Sequence, residues 1–454
     1  MKTKVLVPSG VLGLGFDIKA FEKGLKLSPD VISIDGGSTD SGPFSLGTGT
    51  SKYSRTSIKS EWRTLMIARH KLNIPLIIGS CGTCGTDNMV DWMEDITLEL
   101  SKELNQNLKI AKIYSELSKE KLLENYRNGS IANLQPKIKI NEKIINNISH
   151  TVALAGIEQI QAAINTRADI ILAGRTTDTA IIAALPILKG SNPGISWHGA
   201  KVAECGALCS TEPTSGVVMV EFYHSHFVIY PLSEKAKCTP ETVSAHMLYE
   251  NANPFILFEP GGYMDVRNAN YEALDNKKVL VKGAKWIRDK SYYVKLEGAR
   301  ISGYQTSSLV LLRDENYVNN VEQWSSKLKS FLNKEIKKRM NLASKDYKLQ
   351  FRHVGKNATL GELENKSSNP NEVGVLCIIT AKNKELSVEI SKLINPFLLH
   401  YPLTKNEELP TFAFPFSPVH ADRGALYEFS LNHKLKLKDP MSIFKLVLNE
   451  INNV

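Results

Sequence analysis

Several common routes to function are closed by what this 454-residue chain lacks. No segment approaches the roughly 20 consecutive apolar residues of a membrane helix. The start, Met1–Pro8, reads directly as a strand, without the apolar stretch of a secretory leader. Six cysteines are too few for a disulfide framework at this length and fit a reducing compartment, so the cytoplasm is the expected location. There is no Gly-x-Ser-x-Gly elbow, kinase signature, His-Glu-x-x-His pair, phosphate-loop lysine or dinucleotide fingerprint, which argues against serine hydrolases, zinc proteases and nucleotide-driven enzymes. The net charge of +9 comes from lysines scattered through helical stretches such as 323–348, without interleaved aromatics. A nucleic-acid partner is therefore not expected, although a positive field attracts small anions.

What the chain does contain is one phrase written twice. Pro29–Asp40 and Ala168–Asp178 each run from an apolar strand into a Gly-x-[Ser/Thr]-Thr-Asp turn, with a one-residue gap between the copies. Buried apolar runs that break into glycine and hydroxyl residues read as central parallel strands, and ligands bind at the carboxyl ends of such strands. A third strand, ending at Ile78, opens into Gly79–Asp87, with glycines three apart. The loops at 35–42, 79–87 and 174–178 are expected side by side at one sheet edge. Asp40 and Asp178 are either ligand contacts or helix caps. Asp17 is expected to cap the helix that follows the opening glycine-rich turn.

Strands and helices alternate to about residue 190, which predicts a Rossmann-like parallel sheet with helices on both faces. Thr151–Leu154 is assigned to that rhythm. Between about 198 and 313 the pattern changes to an antiparallel β region, with separate strands expected at 292–297 and 306–313 and a helix near 240–250. From about 318 a charged helix, two strands and a further helix suggest a small ferredoxin-like α/β appendage with a loop at Ser367–Asn371. The expected division is an α/β domain over 1–315, with the parallel sheet in 1–195 and the β-rich region in 196–315, and an α+β domain over 316–454.

Read by residue type, the site holds Asp35, Asp40 and Asp178 as acid–base groups. Gly36, Ser38, Thr39, Gly79, Ser80, Gly82, Asp87, Arg175, Thr176 and Thr177 are the expected substrate contacts. Arg175 is expected to grip a carboxylate or phosphate, so that Arg175→Ala weakens ligand binding by roughly 2–5 kcal/mol with the fold retained. A carboxylate closing a buried strand, as Asp35 does, must find donors or a metal. Mg²⁺ held by Asp35, Asp40, Asp87 and Asp178 is the alternative occupant, since a hard cation takes oxygen ligands. His198, Glu204, Glu259, Lys295 and Glu297 are second contributors. Lys295 and Glu297, two apart on one strand face, are expected to pair with neighbours, and His198 reads as a structural or surface histidine. Cys81 and Cys84 of Cys81-Gly82-Thr83-Cys84 are expected to be reduced and unmetallated, because backbone geometry explains the small residues around Cys81, and the Cys205/Cys209 pair is not favoured for metal or redox use.

Seven motifs in order give a resemblance: Ile34–Pro43, Ile78–Ser80 with its glycine-rich tail, Ala173–Asp178, Glu204–Ala207, Cys238–Pro240, Glu259–Gly262 and Lys295–Ala299. Together with Tyr427–Phe429 and Leu431–His433 they resemble the acyclic terpene utilisation (AtuA) family. The resemblance implies a cytosolic protein found with the breakdown of terpenoid or branched acyl-CoA compounds, and it implies no particular reaction. Where that family carries small residues this chain has Cys81 and Cys84, which counts against catalytic thiols. Taken together, the residues point to an enzyme of hydration, elimination or isomerisation, without redox cofactor or resident metal. Its substrate is expected to be a small anionic carboxylic acid or an acyl-CoA thioester, whose CoA moiety is a further group to be held. The rival reading is a non-catalytic binding or accessory subunit, and a homo-oligomer is compatible with either.

Overall fold

The structure, a computed structural model, describes residues 2–365, 370–405 and 413–453. Ser367, Ser368 and Asn369 of the expected 367–371 loop lie outside the described residues. The chain forms two compact units, one of residues 1–300 with 429–454 and one of residues 301–428.

In the first unit, strands β1 (Thr3–Val7), β2 (Val31–Asp35), β3 (Leu76–Gly79) and β4 (Leu108–Tyr114) are separated by helices α1 (Ile18–Lys26), α2 (Arg55–Leu72) and α3 (Asp87–Leu104). Then come β5 (Ile148–Ala153), α4 (Ile157–Asn165), β6 (Ile170–Ala173), α5 (Ala180–Leu188) and α6 (Pro193–Ala203), followed by β7 (Val218–Phe222), β8 (His226–Pro231), β9 (Asn270–Ala273), β10 (Val279–Lys282) and the first part of β11 (Tyr292–Leu312), which belongs to this unit up to Arg300. The principal sheet has ten strands in the order β9-β10-β8-β7-β1-β2-β3-β6-β4, closed by the C-terminal strand Lys445–Ile451. Its centre, β1-β2-β3-β6-β4, is parallel. Both flanks are antiparallel, so the sheet as a whole is mixed.

Alternate residues of the central strands enter two separate cores. Val5, Val31, Ile77 and Ile171 pack with Ile181 of α5 and Trp197 of α6, while Leu6, Ile32, Ile78 and Leu172 pack with Phe21 of α1, Trp62 of α2 and Met93 of α3. Strands buried on both faces read as unbroken apolar runs, which is why these were legible as central. Asp17 caps α1 as expected, its Oδ1 accepting from the N–H groups of Lys19 and Ala20 at 2.9 and 3.2 Å.

Three expectations are corrected. β5 does not join the parallel sheet; it pairs antiparallel with Leu296–Arg300 of β11. The strands expected at 292–297 and 306–313 are parts of the single 21-residue β11. The region read as β from 198 begins inside α6, which opens with Pro193 in its first turn and is buried along most of its length. Such a helix shows no amphipathic stripe. The C-terminal strand, Lys445–Ile451, matches no expected element, because its sequence Lys-Leu-Val-Leu-Asn-Glu-Ile carries no alternation of apolar and polar residues.

In the second unit, Tyr304–Leu312 of β11 pairs antiparallel with β13 (Val373–Ala381), which pairs antiparallel with β12 (Tyr347–Val354). β13 alternates buried and half-buried residues. Its inward side chains Val375, Cys377 and Ile379 share a core with Trp324, Leu328 and Leu332 of α7 (Val321–Met340) and Ile390, Ile394 and Leu398 of α8 (Lys384–His400).

Candidate functional site

The loops leaving β2, β3 and β6 are laced together through backbone hydrogen bonds. Gly36 N–H donates to Gly79 O at 2.8 Å, Thr83 N–H to Gly36 O at 3.0 Å, Ser80 N–H to Gly174 O at 2.9 Å and Arg175 N–H to Gly85 O at 3.0 Å. Such proximity excludes side chains. A Cβ on Gly36 would stand 2.6 Å from Ser80 O, and one on Gly85, whose φ is +63°, 2.2 Å from Arg175 N. The three loops thus lie side by side at the carboxyl edge of the parallel strands.

Beside them opens a cleft of about 550 Å³ within the first unit. Of the residues expected at the site, Asp35, Ser38, Asp40 and Asp178 line it. The opposite walls come from the opening loop Ser9–Gly15, from Lys52 and Tyr53, and from Cys205, Tyr249 and Glu250. Neither Glu250 nor Lys52 carried a sequence signal, because neither falls in a motif. Cys205 did fall in one, the Glu204–Ala207 stretch.

The remaining expected residues do not line this cleft. Gly36, Gly79 and Gly82 are enclosed by neighbouring loops and Met89. Thr39 Oγ1 donates to Glu297 Oε2 at 2.9 Å. Ser80 Oγ accepts from Arg175 Nη1 at 3.0 Å. Thr177 accepts from Thr179 Oγ1 at 3.2 Å, and Thr176 Oγ1 is buried without a partner. Asp87 is turned away to the start of α3, where it and Glu116 accept from each other's backbone N–H at 3.1 Å. Burial raises its carboxyl to about 6. Asp35, Asp40, Asp87 and Asp178 therefore do not converge as one compact ligand set.

Arg175 is 4 % exposed, and its guanidinium is enclosed by acceptors. Nε donates to Glu297 Oε2 at 3.1 Å, Nη1 donates to Ser80 Oγ and Thr176 O at 3.0 Å each, and Asp178 Oδ1 lies 3.6 Å from Nη1. Its principal counter-ion is Glu297, not Asp40 or Asp87. Lys295 Nζ adds a second contact to Glu297 at 2.8 Å, so these two strand residues pair with each other, and only Glu297 also pairs across, to Arg175. Burial works to raise the Glu297 carboxyl, but Arg175 and Lys295 outweigh it and hold it at about 2.

Asp35 and Asp178, two of the cleft carboxylates, behave in the opposite sense. Burial, then the charge of Asp178, drives the Asp35 carboxyl well above its ordinary range against the opposing pull of Arg175. Asp35 Oδ2 accepts from Gly37 N–H at 3.0 Å, whereas its Oδ1 is buried with no partner. Asp178 is likewise raised by burial, with Arg175 lowering it and Asp40 raising it. Burial thus disfavours the charged forms of both neighbouring carboxyls, the environment in which acid–base groups are found. His198 is buried on α6, its Nε2 3.1 Å from Tyr271 Oη, in keeping with a structural histidine.

Glu259 makes stability depend on pH. Burial lifts its carboxyl from 4.5 to about 7 despite hydrogen bonds from Thr179 and Thr177. A carboxyl raised on folding contributes stability that is fully present below its unfolded value and is lost as pH rises through the folded one. Wild type is therefore expected to lose about 3 kcal/mol relative to Glu259→Gln between pH 4 and pH 8, at about 1.4 kcal/mol per pH unit of displacement. Urea denaturation of both proteins across that range checks it, and parallel curves would remove Glu259 as the cause.

All six cysteines are free. Cys81 packs in the core among Ile78, Leu172 and their neighbours, and burial raises its thiol further from ionisation. Cys81→Ala and Cys84→Ala are each expected to cost about 0.5–3 kcal/mol of stability, as ordinary core changes do, with ligand binding unaltered. Binding that disappears while the fold persists would give these thiols a role.

Among the described residues no helix is long and apolar enough to cross a membrane. The family model described as acyclic terpene utilisation family protein AtuA matches residues 49–190 and 221–410. Comparison with curated proteins and with solved structures finds no significant match.

Proposed function

The chain belongs to the acyclic terpene utilisation family AtuA, and from that membership we propose that it is a catabolic enzyme using acid–base chemistry on a small carboxylic acid or acyl-CoA thioester. The observation that carries this reading is Asp35, a buried carboxyl with one unpartnered oxygen at a cleft shared with Asp178. A carboxyl that holds its proton in a partly enclosed site is suited to general acid–base catalysis. One of the pair removes a proton next to the substrate carbonyl while the other supplies one, so that hydration, elimination or isomerisation follows. Arg175 acts here as a positioning residue, because it faces Asp178 and its donors are directed to Glu297, Ser80 and Thr176. Lys52, on the cleft wall and without an ion pair among the described residues, is the cation available to an anionic substrate group. An adaptor would instead show a broad exposed apolar patch and no convergence of titratable groups.

The test is a thermal-shift screen of the full chain against branched and terpenoid acyl-CoA thioesters and their free acids. Compounds that bind are then followed by mass spectrometry for gain or loss of water and by NMR in D₂O for exchange at the carbon next to the carbonyl. Turnover or exchange is expected. Tight binding with neither, for every compound that binds, would favour the accessory-subunit reading.

A further inference from the structure

Where α6 ends, three donors of different chemistry meet. A carboxylate oxygen of Glu204, Sγ of Cys205 and a ring nitrogen of His246 all lie within 4.8 Å of one another, and no other His, Cys, Asp or Glu group among the described residues is so compact. Glu204 caps the C-terminus of α6, Cys205 follows it, and His246 begins a short 3-10 turn after the helix Pro240–Ala245. Glu204 is 7 % and His246 4 % exposed.

His246 is the informative member. Its ring is tied by a hydrogen bond to the backbone of Lys201 and stacks on Tyr249, with centroids 5.5 Å apart, yet Nε2 is buried with no partner at all. A buried polar atom left unpaired costs about 1–3 kcal/mol, so such an atom needs a reason to persist. Metal-binding histidines are oriented in this manner, one ring nitrogen held by a backbone or carboxylate partner and the other left to the ion.

We propose that Glu204, Cys205 and His246 form a binding site for a divalent transition metal of the zinc class. The donor set selects that class, since thiolate and imidazole suit zinc and its neighbours whereas Mg²⁺ and Ca²⁺ take oxygen. Three protein ligands leave a fourth tetrahedral position open, as in catalytic rather than structural zinc sites. Cys205 lines the cleft, so that position is reachable from the side where Asp35 and Asp178 stand. Lys201 does not block the site: its ammonium pairs with Oε1 of Glu204, leaving Oε2 for the ion. The charges of Asp178 and Glu259 act on Glu204, and those of Asp178 and Glu250 on Cys205, against the charge of the lysine. A Lewis acid here would polarise the substrate carbonyl, a role that rests on the acid–base reading above, whereas the binding itself does not.

The experiment titrates Co²⁺, a spectroscopically visible substitute for Zn²⁺, into the chelator-treated full chain. One equivalent is expected to bind with a thiolate-to-cobalt charge-transfer band that Zn²⁺ abolishes. The band should vanish in Cys205→Ser, which barely changes volume and so remains decisive if His246→Ala disturbs the packing on Tyr249. Glu204→Gln and His246→Ala should weaken binding by more than the roughly 10–100-fold that loss of an outer-shell partner costs. Cys81→Ala and Cys209→Ser should leave the band intact. No band in wild type, or a band that survives Cys205→Ser, overturns the site. Binding by an enzyme that turns over nothing supports the metal site and counts against the acid–base reading, and turnover without a cobalt band does the reverse.

Discussion

Asp35→Asn is expected to fold, to bind substrate and to lose turnover by about 10²–10⁴-fold, the range seen on removing a general acid or base. The amide preserves shape, and its oxygen can still accept from Gly37 N–H as Oδ2 of Asp35 does. Its other end cannot exchange a proton at the atom that now stands unpartnered. Stability should move in the opposite direction. The Asp35 carboxyl is raised on folding, chiefly by burial, so its contribution is present below the unfolded value of 3.8 and lost as pH rises. At neutral pH the variant is therefore expected to be at least as stable as wild type. Steady-state kinetics and proton exchange on a compound from the ligand screen measure the first effect, and urea denaturation the second. A wild-type rate in Asp35→Asn would remove this residue from the chemistry.

Arg175→Ala is expected to destabilise the protein by about 3–5 kcal/mol, as breaking a buried ion pair does. The side chain of Glu297 is 4 % exposed and would keep as counter-ion only Lys295, whose side chain is 39 % exposed, beside the hydroxyl of Thr39. Replacing both partners, as in Arg175→Met with Glu297→Gln, should recover much of the loss, because the penalty comes mainly from the charge left behind. The sequence alone leads to a different expectation, a fold retained and ligand affinity reduced by roughly 2–5 kcal/mol. Denaturation curves and ligand titration of the single variant separate the two outcomes. Stability within about 1 kcal/mol of wild type, with affinity lost, would return Arg175 to the ligand.

The difference between those expectations shows which parts of the molecule could be read in advance. β2, β3 and β6 were legible because apolar runs ending in Gly, Ser and Thr carry their own explanation, and the interlaced loops follow from them. Glu297 was not legible as the partner of Arg175, since 122 residues separate them and nothing local marks the pairing. The cleft was half visible. Asp35, Ser38, Asp40 and Asp178 sit in the repeated phrase, while Lys52, Tyr249 and Glu250 reach the same space from stretches without pattern. β5 was misplaced because a short apolar segment pairs equally well in a parallel or an antiparallel sheet, and only the distant β11 decides. Helix α6 escaped because burial along most of its length erases the periodicity by which helices are found.

The C-terminal strand pairs along its whole length with β4, from Lys445 opposite Tyr114 to Ile451 opposite Leu108. During synthesis β4 emerges long before its partner, which follows it by more than 300 residues along the chain. For that interval the nascent sheet presents a row of unsatisfied amide and carbonyl groups, the kind of edge on which foreign strands add. Premature termination before residue 445 would make that interval permanent. Such shortened chains are expected to aggregate or engage chaperones even though every residue lining the cleft has already been made.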